Sequence, residues 1–145
     1  MQQTITGSAF GCPFSVAVPE ALSDDCAAML PQGWTAATGA PAPATWRLTE
    51  GRSGAWQVWR GEDAQLAFDD PGSALEALTG AVELHVAEHS PNLTLVHAGV
   101  VAGTGGALVL PGRSQAGKST LVAALVTAGA SYYSDEFAVD RKSVV

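Results

Sequence analysis

Charged residues are scarce in this chain of 145 residues, and basic residues are scarcer than acidic ones. Only 14% of the residues are charged, and 7 bases stand against 14 acids, which gives a net charge of -7. Because a surface this acidic repels phosphate backbones, we expect no general nucleic-acid binding. The hydrophobic share is 47%, which is too high for a disordered chain. The length fits one compact domain, or one domain with part of another.

The sequence also has few cysteines and no long apolar run. Cys12 and Cys26 form no Cys-x-x-Cys pair, which predicts buried thiols of a reducing compartment rather than a disulfide. The first 19 residues carry no basic side chain and are interrupted by glycine and proline, which disfavours a signal peptide. The longest later uncharged run, 89–112, contains Pro91 and several glycines and does not suit a membrane helix. We therefore expect a cytoplasmic protein with no membrane partner.

The sequence pattern changes near Pro91, which predicts two domains, 1–91 and 92–145. The first is expected to be a small N-terminal α/β domain with a helix that Asp69 or Asp70 caps. Its predicted elements are two strands within residues 3–18, a helix from Pro19 to Pro31, a loop from Thr35 to Ala44, three strands at 45–49, 55–59 and 65–68, and a helix from Pro71 to about Glu88.

Two side-chain spacings in the first domain stand out. Trp56 and Trp59 are three residues apart, which breaks strand alternation and predicts either a bulge or a strand buried on both faces. His85 and His89 are four apart on the predicted helix, a spacing that suits metal ligands. Since no third ligand of suitable type is evident, we favour two solvated histidines.

The segment from Gly112 to Ser119 fits the phosphate-binding pattern G-x-x-x-x-G-K-[ST] at every position. An apolar hairpin, Leu93–Ala102 and Ala107–Pro111, precedes it, and an apolar helix follows. Glycines let successive backbone N–H groups surround a polyphosphate, to which the helix N-terminus adds its positive end. Lys118 would contact the β and γ phosphates, and Ser119 would offer an oxygen to Mg²⁺. The predicted nucleotide-binding residues are Gly112, Arg113, Ser114, Gln115, Ala116, Gly117, Lys118, Ser119 and Thr120.

A short strand, Ala130 to Ser134, follows this helix and leads into Asp135 and Glu136. Strand, helix and strand predict a right-handed βαβ unit, whose strands run in the same direction. Asp135 is therefore expected at the same sheet edge as the phosphate loop, where it could hold Mg²⁺ or take a proton from a hydroxyl. The other interpretation of both acids is a solvated turn.

His97 is a further candidate because of the predicted hairpin. If the hairpin is symmetric about Thr104, residue 97 lies opposite residue 111, directly before the phosphate loop. An imidazole there could contact a phosphate or orient an acid. The other interpretation is a histidine with a purely structural place in an apolar strand.

Together, Val96–Gly99, Gly106–Thr120 and Gly129–Glu136 resemble the catalytic core of HPr kinase/phosphorylase. They resemble still more closely the HPr-kinase-like proteins found near peptide-modification genes. The resemblance covers about residues 93–140, in the family's order and spacing. It implies an α/β fold in which a P-loop βαβ core follows a β-hairpin and the small N-terminal α/β domain.

The resemblance also implies roles for single residues, with ATP and Mg²⁺ as cofactors. Lys118 would act on the phosphates, Ser119 and Glu136 would lie near the metal, Asp135 would be the catalytic acid/base for an acceptor serine, and His97 would be the active-site histidine. Gln115 replaces a usual glycine of the loop, and Glu136 stands where the family has a second Asp.

The family core continues beyond the acidic pair, so this chain looks like a truncated kinase, a fragment, or a protein completed by another subunit. A homo-oligomer is thus left open. The resemblance favours an ATP-dependent kinase acting on a hydroxyl of a protein, peptide or small molecule. The alternative is a nucleotide-binding module without catalysis. A transporter ATPase would need a Ser-Gly-Gly-Gln signature, which the sequence lacks.

Overall fold

A computed structural model describes residues 1–38, 45–91, 93–113, 116–135 and 137–141. Over these residues the protein is mixed α/β, with two sheets and three α-helices. The chain divides into two compact units, Met1–Pro91 and Asn92–Val145. None of the helices in the described part of the chain is both long enough and apolar enough to span a membrane.

The first unit contains a six-stranded sheet and two α-helices. The elements are β1 (Gln2–Ala9), β2 (Cys12–Pro19), a 3-10 turn (Glu20–Leu22), α1 (Ser23–Met29), β3 (Thr35–Ala36), β4 (Trp46–Glu50), β5 (Trp56–Arg60), β6 (Asp63–Phe68) and α2 (Pro71–His89). The strand order in the sheet is β3-β1-β2-β4-β5-β6. Strands β2 and β4 are parallel, and the other neighbours are antiparallel.

The strand β3 corrects the expectation of a loop from Thr35 onward. Thr35 and Ala36 pair with β1, and the ring of Trp34 lies so close to Gly7 that a Cβ there would meet it at 2.8 Å. Because Gly7 has no side chain, Trp34 and β3 can pack closely against β1. Local composition does not reveal this tertiary contact. The rest of the expected loop, residues 39–44, lies outside the described residues.

Phe10 and Gly11 form the turn between β1 and β2. Phe10 and Gly11 both have positive φ, at 50° and 77°, whereas Cys12 and Pro13 already belong to β2. Positive φ at both central residues is typical of the tight turns that match the twist of a hairpin. Cys12 and Cys26 are buried free thiols, as expected, and burial raises the pKa of Cys26 to about 11.

A bulge lies beside the tryptophans, but in the strand opposite them. The register of β5 against β6 shifts between Val58 and Trp59, and the extra residue, Gln65, belongs to β6. Val58 is buried in the core and Trp56 packs against that core. Because β5 itself alternates regularly, Trp59 lies on the other face of the strand, so the three-residue spacing places the two tryptophans on opposite faces.

Helix α2 covers this core as the sequence predicts. Asp70 is its N-cap, because its Oδ1 accepts a hydrogen bond from the backbone N–H of Ser73 at 2.8 Å. The apolar stripe is buried against the sheet; it consists of Leu75, Leu78, Val82 and Val86. The helix therefore gains its stability from a capped start and one continuous apolar face.

The Asp70 cap predicts a loss of stability in acid. The backbone N–H of Ser73 lowers the pKa of Asp70, so the ionised cap stabilises the fold above the unfolded carboxyl pKa, and this contribution is lost as pH falls through the lower, folded pKa. Asp70→Asn keeps a capping oxygen that does not titrate, so its melting temperature should fall less than that of the wild type between neutral pH and about pH 2. Asp69→Asn is the matched control and should behave as the wild type.

The second unit is organised around the long strand β7. Its elements are β7 (Leu93–Gly103), β8 (Gly106–Pro111), α3 (Lys118–Thr127), β9 (Ser131–Ser134) and β10 (Phe137–Arg141). β8 pairs with one side of β7, while β9 and β10 follow one another along its other side. All three are antiparallel to β7, so β8 and β9 run in the same direction with β7 between them.

Helix α3 ends in the way its glycine suggests. Gly129 has φ +102°, and the N–H groups of Gly129 and Ala130 donate to the carbonyls of Val126 and Leu125, each at 3.0 Å. These bonds satisfy carbonyls at the end of the helix and turn the chain directly into β9. The short connection brings β9 back to the sheet beside β7.

Candidate functional site

The loop between β8 and α3 carries the phosphate-binding pattern of the sequence. The glycine at the start of the helix, Gly117, adopts a backbone conformation that other residues rarely adopt. Gly117 is the N-cap of α3 and has φ +83°, a left-handed conformation that side chains with a Cβ rarely adopt. The N–H of Leu121 donates to the Gly117 carbonyl at 3.0 Å, which begins the hydrogen-bond ladder of the helix. Gly117 thus sets the direction in which α3 leaves the loop.

Lys118, the first residue of α3, folds its side chain back over the loop. Its Nζ donates to the carbonyls of Gly112 and Arg113, both at 2.8 Å. Its Cγ and Cδ pass close to Gly112, where an added Cβ would lie 3.4 Å from each. An ammonium has three N–H donors, so the two carbonyls hold it at the loop and still leave donor capacity for an anion.

The first turn of α3 offers backbone N–H groups and side-chain hydroxyls beside the ammonium of Lys118. No side chain among the described residues caps this helix, so its leading backbone N–H groups lack that partner. Ser119 and Thr120 follow Lys118 and are exposed. A ten-residue helix adds its positive dipole end here. Ser114 and Gln115, the remaining loop residues of the pattern, lie outside the described residues.

The strand register brings Asp135 to the same end of the sheet as this loop. Ser134 pairs with Val100, so Asp135 comes next to Gly99; on the other side of β7, Pro111 pairs with Ala98 and leads into Gly112. Neighbouring strands are about 4.8 Å apart, so the two strand ends lie roughly 10 Å apart across β7. Glu136, the second predicted acid, lies outside the described residues.

The carboxylate of Asp135 has a partner that the sequence analysis did not identify. The hydroxyl of Tyr132 donates to Asp135 Oδ1 at 2.8 Å. Tyr132 pairs with Val101, and directly paired residues place their side chains on the same face of a sheet. This is the face of β7 on which Gly99 meets Val122 of α3, so the Tyr132–Asp135 pair and the helix share one face.

His97 is displaced by one position from its expected place. The hairpin pairs Ala98 with Pro111, so His97 lies just beyond the β7–β8 ladder; on the other side of β7 it pairs with Phe137, with ring centroids 5.5 Å apart. The hairpin is centred between Thr104 and Gly105 instead of on Thr104, and this half-residue difference moves the partner by one. By alternation along β7, His97 belongs to the face of Gly99.

The contact between α3 and β7 determines where Lys118 lies. A Cβ on Gly99 would stand 2.5 Å from Cγ2 of Val122, a buried residue that lies one turn into α3. Real atoms do not approach so closely, so only glycine lets the helix lie this near the strand. The loop between β8 and α3 is therefore held at both ends, by the hairpin and by this contact.

We expect Gly99→Ala to loosen the start of α3. The added methyl overpacks the contact with Val122 and should destabilise the unit by about 1–3 kcal/mol. Gly103→Ala is the matched control in the same strand, because nothing lies within 4 Å of its added Cβ. The measurement is hydrogen exchange of the α3 amides, which should be faster in Gly99→Ala and unchanged in Gly103→Ala.

Adding Val122→Ala tests the cause. If the two methyl groups clash, the double variant should be less destabilised than the sum of the two single variants, since Val122→Ala removes the atom that Gly99→Ala meets. Simple additivity would contradict the contact.

The histidine pair of the first unit differs from its expectation. His85 is not solvated: it is half-buried with its ring against Trp46, at a centroid distance of 4.8 Å, and burial lowers its pKa. Its ring stacks on that of exposed His89 at 4.3 Å. Stacked rings do not aim their nitrogens at one shared ion, and over the residues that the structure describes no three potential ligands form a metal-binding group.

The structure thus groups Lys118, Ser119 and Asp135 at one end of the second sheet and leaves His85 and His89 in the first unit. Sequence reasoning missed Tyr132 and Gly99 as determinants of this grouping. A glycine inside an apolar strand is a signal of close approach, which could have identified Gly99. Tyr132 had no such signal, because its contact depends on an irregularity in strand pairing.

Comparisons of the chain with models of protein families, with curated proteins and with solved structures found no match.

Proposed function

We propose that the protein is an ATP-dependent kinase of the HPr-kinase-like type that transfers the γ-phosphate to a hydroxyl of a protein, peptide or small molecule. In this proposal the second unit is a P-loop core. The observation that carries it is that the ammonium of Lys118 sits on the carbonyls of the loop that starts α3, at the same sheet end as the carboxylate of Asp135.

The residues of the loop fit a polyphosphate. Lys118 is held by two carbonyls at 2.8 Å and keeps donor capacity. The helix behind it is uncapped by side chains over the described residues, so its first N–H groups are available to phosphate oxygens. Of the 7 basic residues of the chain, 4 belong to residues 111–145, against 3 acids, so this anion site lies in a part of the sequence with a small net positive charge.

The residues also fit a magnesium ion bound together with the nucleotide. Mg²⁺ in such sites takes one or two protein oxygens and completes its shell with phosphates and water. Ser119 offers one such oxygen, an exposed hydroxyl in the first turn of α3. When bound, the ion neutralises charge that develops on the phosphates.

Asp135 acts in this proposal as the general base. It takes the proton of the acceptor hydroxyl; the acceptor oxygen then forms a bond to the γ-phosphorus, the bond from that phosphorus to the bridging oxygen breaks, and ADP leaves. Lys118 stays on the phosphates and stabilises the charge that moves to the leaving oxygen.

Two substitutions separate binding from transfer. Lys118→Met keeps the aliphatic stem beside Gly112 but removes the ammonium, so ATP binding measured by calorimetry should weaken roughly a hundredfold. Asp135→Asn should keep binding but lower transfer about a hundredfold or more. Transfer is measured with Mg²⁺-ATP on a panel of serine-containing peptides, with water as a further acceptor.

Lys142→Met is the charge-matched control, since Lys142 is the other lysine of the chain. The nucleotide site is rejected if Lys118→Met and Lys142→Met bind ATP equally well. Binding without turnover on any acceptor would instead support the nucleotide-binding module without catalysis, and full transfer by Asp135→Asn would reject the proposed base.

A further inference from the structure

We infer that Tyr132 is a positioning residue that holds the carboxylate of Asp135 for proton transfer. The inference rests on the proposed function and adds a residue to it. Its basis is the 2.8 Å hydrogen bond from the Tyr132 hydroxyl to Asp135 Oδ1, which joins two side chains at the end of β9.

A break in the strand pairing creates this contact. In a regular strand, residues three apart point to opposite faces, so Tyr132 and Asp135 would be separated by the sheet. In β9, however, Val100 pairs with Ser134 and the adjacent Val101 pairs with Tyr132, so Tyr133 is an extra residue. The extra residue shifts the alternation of side chains by one position, so Tyr132 lies on the same face of the sheet as Asp135. Bulges beside functional sites commonly redirect a side chain in this way.

The bond has a direct consequence for the carboxylate. One oxygen of Asp135, Oδ1, is engaged by a phenol, so the rotation of the carboxylate is restricted and the direction of Oδ2 is defined. Asp135 is half-buried, and Tyr132 has 52% of its surface exposed, so an acceptor can approach this edge. A base whose lone pairs are oriented before the acceptor arrives needs less reorganisation in the transition state. Oδ2 is then the oxygen that takes the proton.

The test compares Tyr132→Phe with Tyr133→Phe. Each variant loses one hydroxyl from neighbouring tyrosines, but the Tyr133 hydroxyl makes no hydrogen bond to the described residues, and its side chain is 63% exposed. With Mg²⁺-ATP and water as the phosphoryl acceptor, we expect Tyr132→Phe to lower kcat about tenfold with an unchanged KM for ATP. Tyr133→Phe should keep both constants.

A second measurement is independent of turnover. The unfolding free energies of Tyr132→Phe, Asp135→Ala and the double variant form a cycle that reports whether the two side chains interact in solution, because Asp135→Ala removes the acceptor of the hydrogen bond. Coupling with the expected loss of kcat supports a positioning role. Additive free energies, or equal kcat values for the two tyrosine variants, overturn it even when wild-type transfer is intact.

Two further outcomes distinguish this inference from the proposed function. If the wild type binds ATP but turns over no acceptor, the kinase proposal is overturned, and the role of Tyr132 in transfer is overturned with it, whether or not the cycle shows coupling. If intact mass and peptide mapping find phosphate on Tyr132 after incubation with Mg²⁺-ATP, transfer stands but Tyr132 is an acceptor and not a positioning residue.

Discussion

The approach of helix α3 to strand β7 is the contact on which the candidate site depends. Gly99 has no side chain, and the space is taken by Val122, which is buried. Because α3 begins only a few residues before this contact, its position sets the height of Lys118 above the sheet. The hairpin fixes the other end of the loop at Pro111. These two anchors hold Lys118 in one place, which suits a group that must bind an anion.

Strand β7 also explains why residues far apart in sequence lie together. It is paired on both sides by strands that run against it, so β8 and β9 end at the same end of the sheet. Gly112 and Asp135 thereby flank β7 within a residue or two along its length. Helix α3 connects β8 to β9 and carries the chain back to the start of β9. Gly129 turns the chain tightly enough for β9 to follow the helix directly. The grouping is therefore a property of topology more than of local sequence.

Each unit contains a β-bulge that changes the face to which side chains point. In the first unit, Gln65 is an extra residue of β6, opposite Val58 of β5. In the second unit, Tyr133 is an extra residue of β9, and Tyr132 thereby reaches Asp135. The first bulge lies in an exposed edge strand. The second lies at the candidate site, where the same kind of irregularity serves a polar contact.

The sequence by itself determined the elements and the chemistry of the loop. Apolar periodicity and the Asp70 cap predict α2, and the spacing of Gly112, Gly117 and Lys118 predicts a loop that leads into a helix, because these signals act between near neighbours. Only the tertiary structure decided the partner of His97, the half-buried state of His85 and the bond between Tyr132 and Asp135. Each of these depends on strand register or on packing between distant segments. A shift of one residue there changes the face or the partner of a side chain while leaving the local pattern unaltered.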